Sequence, residues 1–368
     1  PAPGWINAVI PVLIVPYYSV IGGWVIKYLV EYFRGNAKQL AEDGYFTDFI
    51  SNGVSTELCF MAFCAFTLII IFAGVQNGIE RVSKIMMPIL IVLSVIIAVY
   101  SVTRPGALAG VKYFLVPNVK NFSWMTVVSA MGQMFYSLSI AMGILITFGS
   151  YMKKDTAIED STRNVEVFDT GIAIMAGLMI IPAVFAFSGG DPDTLQAGPS
   201  LMFITIPKVF QNMGFGTVIG IVFFLLVLFA AVTSSIALTE SAVSTFEDEL
   251  GWGRKKATVL VGVIMLALGS LSSLGYGPLA GIKIIGMQFL DLFDFLTNSV
   301  MMPIAALLTS LLVSRVVGID KIEEEIIHGE SAFRRKKVFV VMIKYLCPVF
   351  AIIILLSSVA NALGWIKM

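Results

Sequence analysis

Apolar residues in this chain gather into runs of about 20, the length an α-helix needs to cross the hydrocarbon of a bilayer. The runs predict nine spans, at roughly 7–33, 55–75, 86–103, 124–151, 166–189, 214–245, 257–275, 289–314 and 338–363. One run is interrupted. Trp124 to Tyr151 is long enough to span, yet its middle reads Gly132-Gln133-Met134-Phe135-Tyr136-Ser137-Leu138-Ser139-Ile140-Ala141-Met142-Gly143. Small and polar residues at mid-depth free backbone groups that hydrocarbon cannot satisfy, so such a break persists only where it lines a cavity for a solute or an ion. The pattern therefore predicts an all-α polytopic membrane helix bundle in a cell membrane, one continuous unit over 1–368, with a site at the break.

The links add orientation. One set of alternating connections carries twice the Lys and Arg (Arg81, Lys84, Lys153, Lys154, Arg163, Arg254, Lys255, Lys256, Arg315, Lys321, Arg334, Arg335, Lys336, Lys337) of the other (Arg34, Lys38, Arg104, Lys112, Lys120, Lys208, Lys283). The richer set is expected on the cytoplasmic side, which starts the chain inside and ends it outside. Residues 34–54 form a polar outer loop. A second outer link, 190–213, contains Gly198 to Phe210, too short to span, which reads equally as a surface amphipathic helix or a re-entrant piece.

Composition removes several classes of function. Hydrophobic residues make up 58% and charged residues 13%, a balance that leaves too little polar surface to cover a soluble domain. Net charge is zero with no basic stripe apart from the loops, which disfavours nucleic acid. Cys59, Cys64 and Cys347 lie in apolar spans without metal or redox spacing, and the single histidine, His328, falls in a charged loop. Without a His-containing triad, a metal cluster or a phosphate-binding glycine loop, an enzyme or an ATP-driven pump is not expected. The chain starts Pro1-Ala2-Pro3-Gly4-Trp5, with neither an initiator Met nor a signal peptide.

Individual polar residues in the spans carry two readings. Asp169, among apolar residues, is expensive in a bilayer and is a functional candidate by default. Hydroxyls such as Ser137, Thr233 and Ser234 fit ion ligation, and fit equally bonding back to their own helix. Glu240 is buried by position and has no role on sequence grounds.

Several short motifs occur in a fixed order: Tyr17-Tyr18 and then Trp24; Gly78 to Lys84 just before Met87-Pro88; Pro105-Gly106; Tyr113-Phe114-Leu115-Val116-Pro117; Gln133 to Ser139; Gly198 to Phe210; Thr233-Ser234-Ser235; and Glu247-Asp248-Glu249-Leu250. In this order they resemble the neurotransmitter:sodium symporters, specifically their bacterial amino-acid branch, over nearly the whole chain. The resemblance implies an inverted repeat of five plus five helices, of which the first two are missing here. It implies sodium-coupled symport of a neutral, mostly apolar amino acid by alternating access. A sensor or an inactive truncated product on the same scaffold is the alternative.

Site residues follow from the resemblance. Tyr18 matches the tyrosine that hydrogen-bonds the substrate carboxylate, and Ile14, Tyr136, Ser139, Met142 and Leu238 match pocket positions. Two Na+ sites are implied, each incomplete without the missing helices: Ser137 and Asp169 in one, the Ala230 carbonyl with Thr233 and Ser234 in the other. Asp294 outside, and Asp248 with Tyr151 inside, match gate positions. Chloride-dependent members carry an amide where Asp169 stands and a serine where Ala173 stands, so chloride-independent transport is expected. An alternative placement of Asp169, capping the start of its helix, also stands at this point.

Overall fold

The computed structural model describes residues 2–191, 195, 198–362 and 365. Among these the chain is helical, with one isolated β-bridge between Ile284 and Met287 and no strand. Eight helices are long and apolar enough to cross a membrane. In chain order with the shorter pieces they are α1 (Ala2–Phe33), α2 (Gly53–Phe72), α3 (Val75–Val102), α4 (Ala107–Leu115), α5 (Trp124–Ser137), α6 (Ile144–Ser150), α7 (Ile158–Ser188), α8 (Leu201–Gln211), α9 (Gly216–Leu250), α10 (Arg254–Leu274), α11 (Phe289–Val317), α12 (Ile319–Gly329) and α13 (Lys336–Ala362). The expected interrupted span is the pair α5 and α6.

Helix α1 is the axis of the bundle, packed on α9, α2 and α10. Its hydrophobic residues show no single apolar face, as befits a helix surrounded by protein, and Ile10, Ile14, Val20 and Tyr28 are fully buried. Close approach to α2 depends on Gly23, where a Cβ would fall 2.7 Å from the Phe60 nitrogen. An aromatic cluster of Trp24, Tyr28, Phe46, Phe203 and Phe224 closes the outer half, with Phe46 and Phe203 stacked at 5.2 Å.

Two helix starts lie well upstream of the sequence expectation, and one open reading is decided. Helix α7 starts at Ile158 rather than near 166, because Glu159, Asp160 and Arg163 continue the helix into water instead of forming a loop. Helix α3 likewise starts with a π-helical turn at Val75–Glu80, so Gly78 to Lys84 is helical. The segment Leu201–Gln211 is packed into the bundle and does not lie on its surface: Phe203, Ile206, Val209 and Phe210 are buried, and the Tyr28 hydroxyl donates to Phe203 O at 2.7 Å. Lys208 ties this segment to Asp43, and its ammonium holds the Asp43 carboxyl below the usual carboxylate range.

On the opposite side, the α7 N-terminus is capped from a distance. Glu330 accepts from the Glu159 N–H at 2.6 Å, while Glu159 accepts from the backbone N–H of Arg334 and Arg335 at 2.9 and 3.1 Å. A capping carboxylate from another element satisfies the helix donors that no residue upstream of Ile158 reaches.

Candidate functional site

The break between α5 and α6 is a strained piece of backbone. Ser139 and Ala141 have φ of 54° and 61°, and Gly143 has φ of 73°. Non-glycine residues in that region are uncommon and costly, and such outliers cluster at ligand sites. Two neighbours hold the turn. A Cβ at Gly143 would stand 2.8 Å from both Asn7 O of α1 and Ser241 Oγ of α9, so only glycine fits.

Beside the break lies a cavity of about 360 Å3. Ile14 and Tyr18 from α1, Tyr136, Ser137, Ser139, Met142 and Ile144 from the broken pair, and Thr233, Ser234, Ala237 and Leu238 from α9 line it, with Met87 of α3. All six residues that the sequence marked for the substrate are therefore in one place, though α1, α5 and α9 are far apart in the chain. No lining residue is charged. A wall of apolar side chains with a few hydroxyls is the usual make-up of a pocket for a small organic ligand.

Oxygen atoms collect at two edges of the cavity. Ser137 donates to Asp169 Oδ1 at 2.6 Å, joining the end of α5 to the middle of α7. Asp169 lies about 16 Å along α7 from Ile158 at 1.5 Å per residue, so it does not cap that helix. On the other edge, Thr233 Oγ1 donates back to Phe229 O and Ala230 O, both at 3.0 Å. That is the self-bonding geometry of a hydroxyl in a membrane helix, and it leaves the oxygen lone pairs available to a cation. Both donor sets are hard oxygens and fit a sodium ion.

The expected gate residues are arranged differently on the two sides. Asp294 accepts from Asn298 on its own helix, and Asn298 also reaches the Tyr17 hydroxyl at 3.4 Å, next to Tyr18. Tyr151 reaches across to α9. Its hydroxyl donates to Glu240 Oε1 at 2.8 Å. Asp248 instead borders a separate cavity at the inner end, with Trp5 and Thr147.

Glu240 is the residue that sequence reasoning left without a role. Its fully buried carboxylate receives two bonds from Arg254, Nη1 to Oε1 at 3.0 Å and Nη2 to Oε2 at 2.6 Å, while Arg254 Nε donates to Ile71 O at 3.0 Å. One ion pair thus joins α2, α6, α9 and α10 at the inner end. A buried carboxylate needs such a bidentate partner to be tolerated. The sequence signal was the acid in an apolar run followed 14 residues later by an arginine, a spacing that crosses a helix turn and cannot be read from periodicity.

Comparison with known proteins decides the family. The model of the sodium:neurotransmitter symporter family matches residues 30–364. The chain belongs to this family. An uncharacterized sodium-dependent transporter of Bacillus subtilis, YhdH, is 34% identical over 360 residues, covering 97% of this chain and 79% of that protein. An uncharacterized sodium-dependent transporter of Haemophilus influenzae is 30% identical, covering 94% and 76%. Among solved structures, MhsT in complex with L-phenylalanine superposes with a TM-score of 0.84 at 33% identity, covering 97% of this chain and 81% of that one. This symporter-family chain is accordingly a multi-pass membrane protein of sodium-dependent transport, and its chemistry is translocation, not catalysis.

Proposed function

We propose that the protein carries a neutral, largely apolar amino acid together with sodium through the cavity at the broken helix. The observation that carries this reading is the lining: Ile14, Met142 and Leu238 are buried apolar walls, and no charged side chain is present to pair with a basic or acidic substrate side chain. The Tyr18 hydroxyl would donate to the substrate carboxylate, and the Ser139 and Tyr136 side chains would bound the rest of the molecule. Phenylalanine bound to the similar MhsT supports an amino acid of this class.

Two sodium ions are part of the reading. Ser137 and Asp169 would ligate one, where a fixed carboxylate lowers the energy of a nearby cation. The Ala230 carbonyl with the Thr233 and Ser234 hydroxyls would ligate the other. Sodium bound at these edges would join α5 to α7 and hold α9, ordering the cavity before substrate arrives. In this reading Asp294 on one side and the Tyr151, Glu240 and Arg254 group on the other would close the pathway in turn.

Scintillation-proximity binding with a panel of amino acids, in sodium and in potassium, tests this. The expected result is saturable binding of apolar amino acids in sodium only. Equal binding in potassium, or preference for lysine or glutamate, would overturn it. Uptake into proteoliposomes then separates a carrier, which accumulates substrate down a sodium gradient, from a sensor, which binds without accumulating.

A further inference from the structure

A second cavity, of about 350 Å3, lies away from the transport site, where α3 and α7 end and α9 begins. Among the described residues Arg104 provides the only formal charge in its lining, facing Phe187, Asn212 and Met213. The guanidinium is held in place: Nε donates to Tyr100 O at 3.1 Å, and its centre lies 4.3 Å over the Tyr100 ring. Tyr100 is itself fixed through its hydroxyl to Gly214 O. Beyond a long contact from Nη2 to Thr103 Oγ1 at 3.4 Å, the two terminal nitrogens have no partner among the described residues, and none of the ion pairs involves Arg104. A pair of terminal donors whose one contact is this long one, at the mouth of a cavity, suits a doubly bonded anion.

The depth of the cavity identifies the anion. Arg104 lies two residues past Val102, where α3 leaves the hydrocarbon-spanning stretch. Around it, Leu108 and Phe215 are 77% and 82% exposed, too apolar for water and placed where spanning helices end, at the level of lipid headgroups. Residues 103–123 also contain Arg104, Lys112 and Lys120 and no acid. Cations at that depth attract acidic lipid.

We propose that Arg104 and its cavity bind the phosphate of an anionic phospholipid in the leaflet opposite the basic loops. The two free guanidinium nitrogens take the phosphate oxygens, and the first methylenes of the lipid lie on Phe187 and Met213. Asn212, whose amide nitrogen is committed to Lys208 O at 2.8 Å, offers its oxygen to a headgroup hydroxyl. The described lining offers no acid to a choline ammonium, which favours an uncharged polar headgroup such as glycerol. This inference stands apart from the transport reading, since it uses none of the residues assigned there.

Native mass spectrometry of the purified transporter, titrated with phosphatidylglycerol, phosphatidylcholine or inorganic phosphate, tests it. The expected result is preferential retention of phosphatidylglycerol, weakened about fivefold by Arg104→Ala, given roughly the attraction of one basic residue to acidic lipid, and unchanged by Lys208→Ala. Arg104→Gln, which keeps the side-chain length, is expected to lose lipid like Arg104→Ala while melting at the wild-type temperature in detergent. Three results would overturn the proposal: lipid retention unaffected at Arg104, equal loss in the Lys208 variant, or displacement of lipid by millimolar inorganic phosphate, which would make this a free-anion site.

Discussion

At the residue scale, oxygen chemistry separates the two proposed ion sites. Asp169 bonded to Ser137 brings a carboxylate to one, and in the proposed mechanism that carboxylate lowers the energy of the neighbouring sodium ion without a bound anion. Uptake by the unmodified protein should therefore be chloride-independent, and Asp169→Asn should weaken uptake or make it respond to chloride in proteoliposomes; chloride stimulation of the unmodified protein would place the charge elsewhere. At the other site, replacing Thr233 and Ser234 together by Ala should raise the sodium concentration for half-maximal binding about tenfold, the effect of losing ligand contacts worth roughly 1 kcal/mol or somewhat more. The helix should still insert, because Ala is tolerated there. An unchanged sodium dependence would reduce both hydroxyls to bonding within their own helix. Glu240 gives a third test. Arg254→Gln leaves a fully buried carboxylate without its counter-charge, an error costing about 3–5 kcal/mol in comparable sites, and the melting temperature should fall accordingly. The double variant Glu240→Gln with Arg254→Gln should recover part of that loss.

At the element scale, the bundle is assembled by close helix contacts at glycine. Gly23 brings α1 against the backbone of α2, and Gly110 brings α4 so near α7 that a Cβ there would fall 2.7 Å from the Pro182 Cα. Backbone cannot step aside as the tip of a side chain can, so Gly23→Ala should cost about 1–3 kcal/mol by overpacking, read as a lower melting temperature in detergent. Gly4, with nothing within 4 Å of a Cβ, is the control on the same helix, where the change to Ala should be neutral. The broken pair α5 and α6 follows the opposite logic. Its strained residues at Ser139 and Ala141 are retained because the cavity needs the backbone to turn there.

At the scale of the whole molecule, the two ends of the bundle are tied by charge. At one end, Lys208 links the packed segment Leu201–Gln211 to Asp43. The lowered Asp43 carboxyl keeps this tie complete above the ordinary aspartate range, and it is lost as pH falls through the lowered value. Hydrogen exchange in residues 201–211 should rise in Lys208→Ala and at high salt, by a small factor because the pair is exposed. No change in exchange would mean that burial of Phe203 and Phe210 alone seats the segment. Inside, Glu159, Glu330 and Arg335 bind the start of α7 to the approach to α13.

The sequence by itself determined the solvent, the spans and the place of the break. Those properties are local: a run of apolar residues is long enough or it is not, and Gly, Ser and Gln inside one are visible wherever the chain folds. It also placed Ile14, Tyr18, Tyr136, Ser139, Met142 and Leu238 among the cavity residues, through motif order and not through periodicity. Only the tertiary structure decided who pairs with whom. Tyr151 meets Glu240, and Arg254 meets both Glu240 and the Ile71 carbonyl, because the ends of four helices converge there. It decided that α7 runs out to Ile158, since charged residues at a helix end look like a loop until a distant Glu330 is seen capping them. It also decided that Leu201–Gln211 packs into the bundle, because a short mixed run of apolar and polar residues has the same pattern on a surface as in a plug, and only the aromatic neighbours contributed by α1 and α9 tell the two apart.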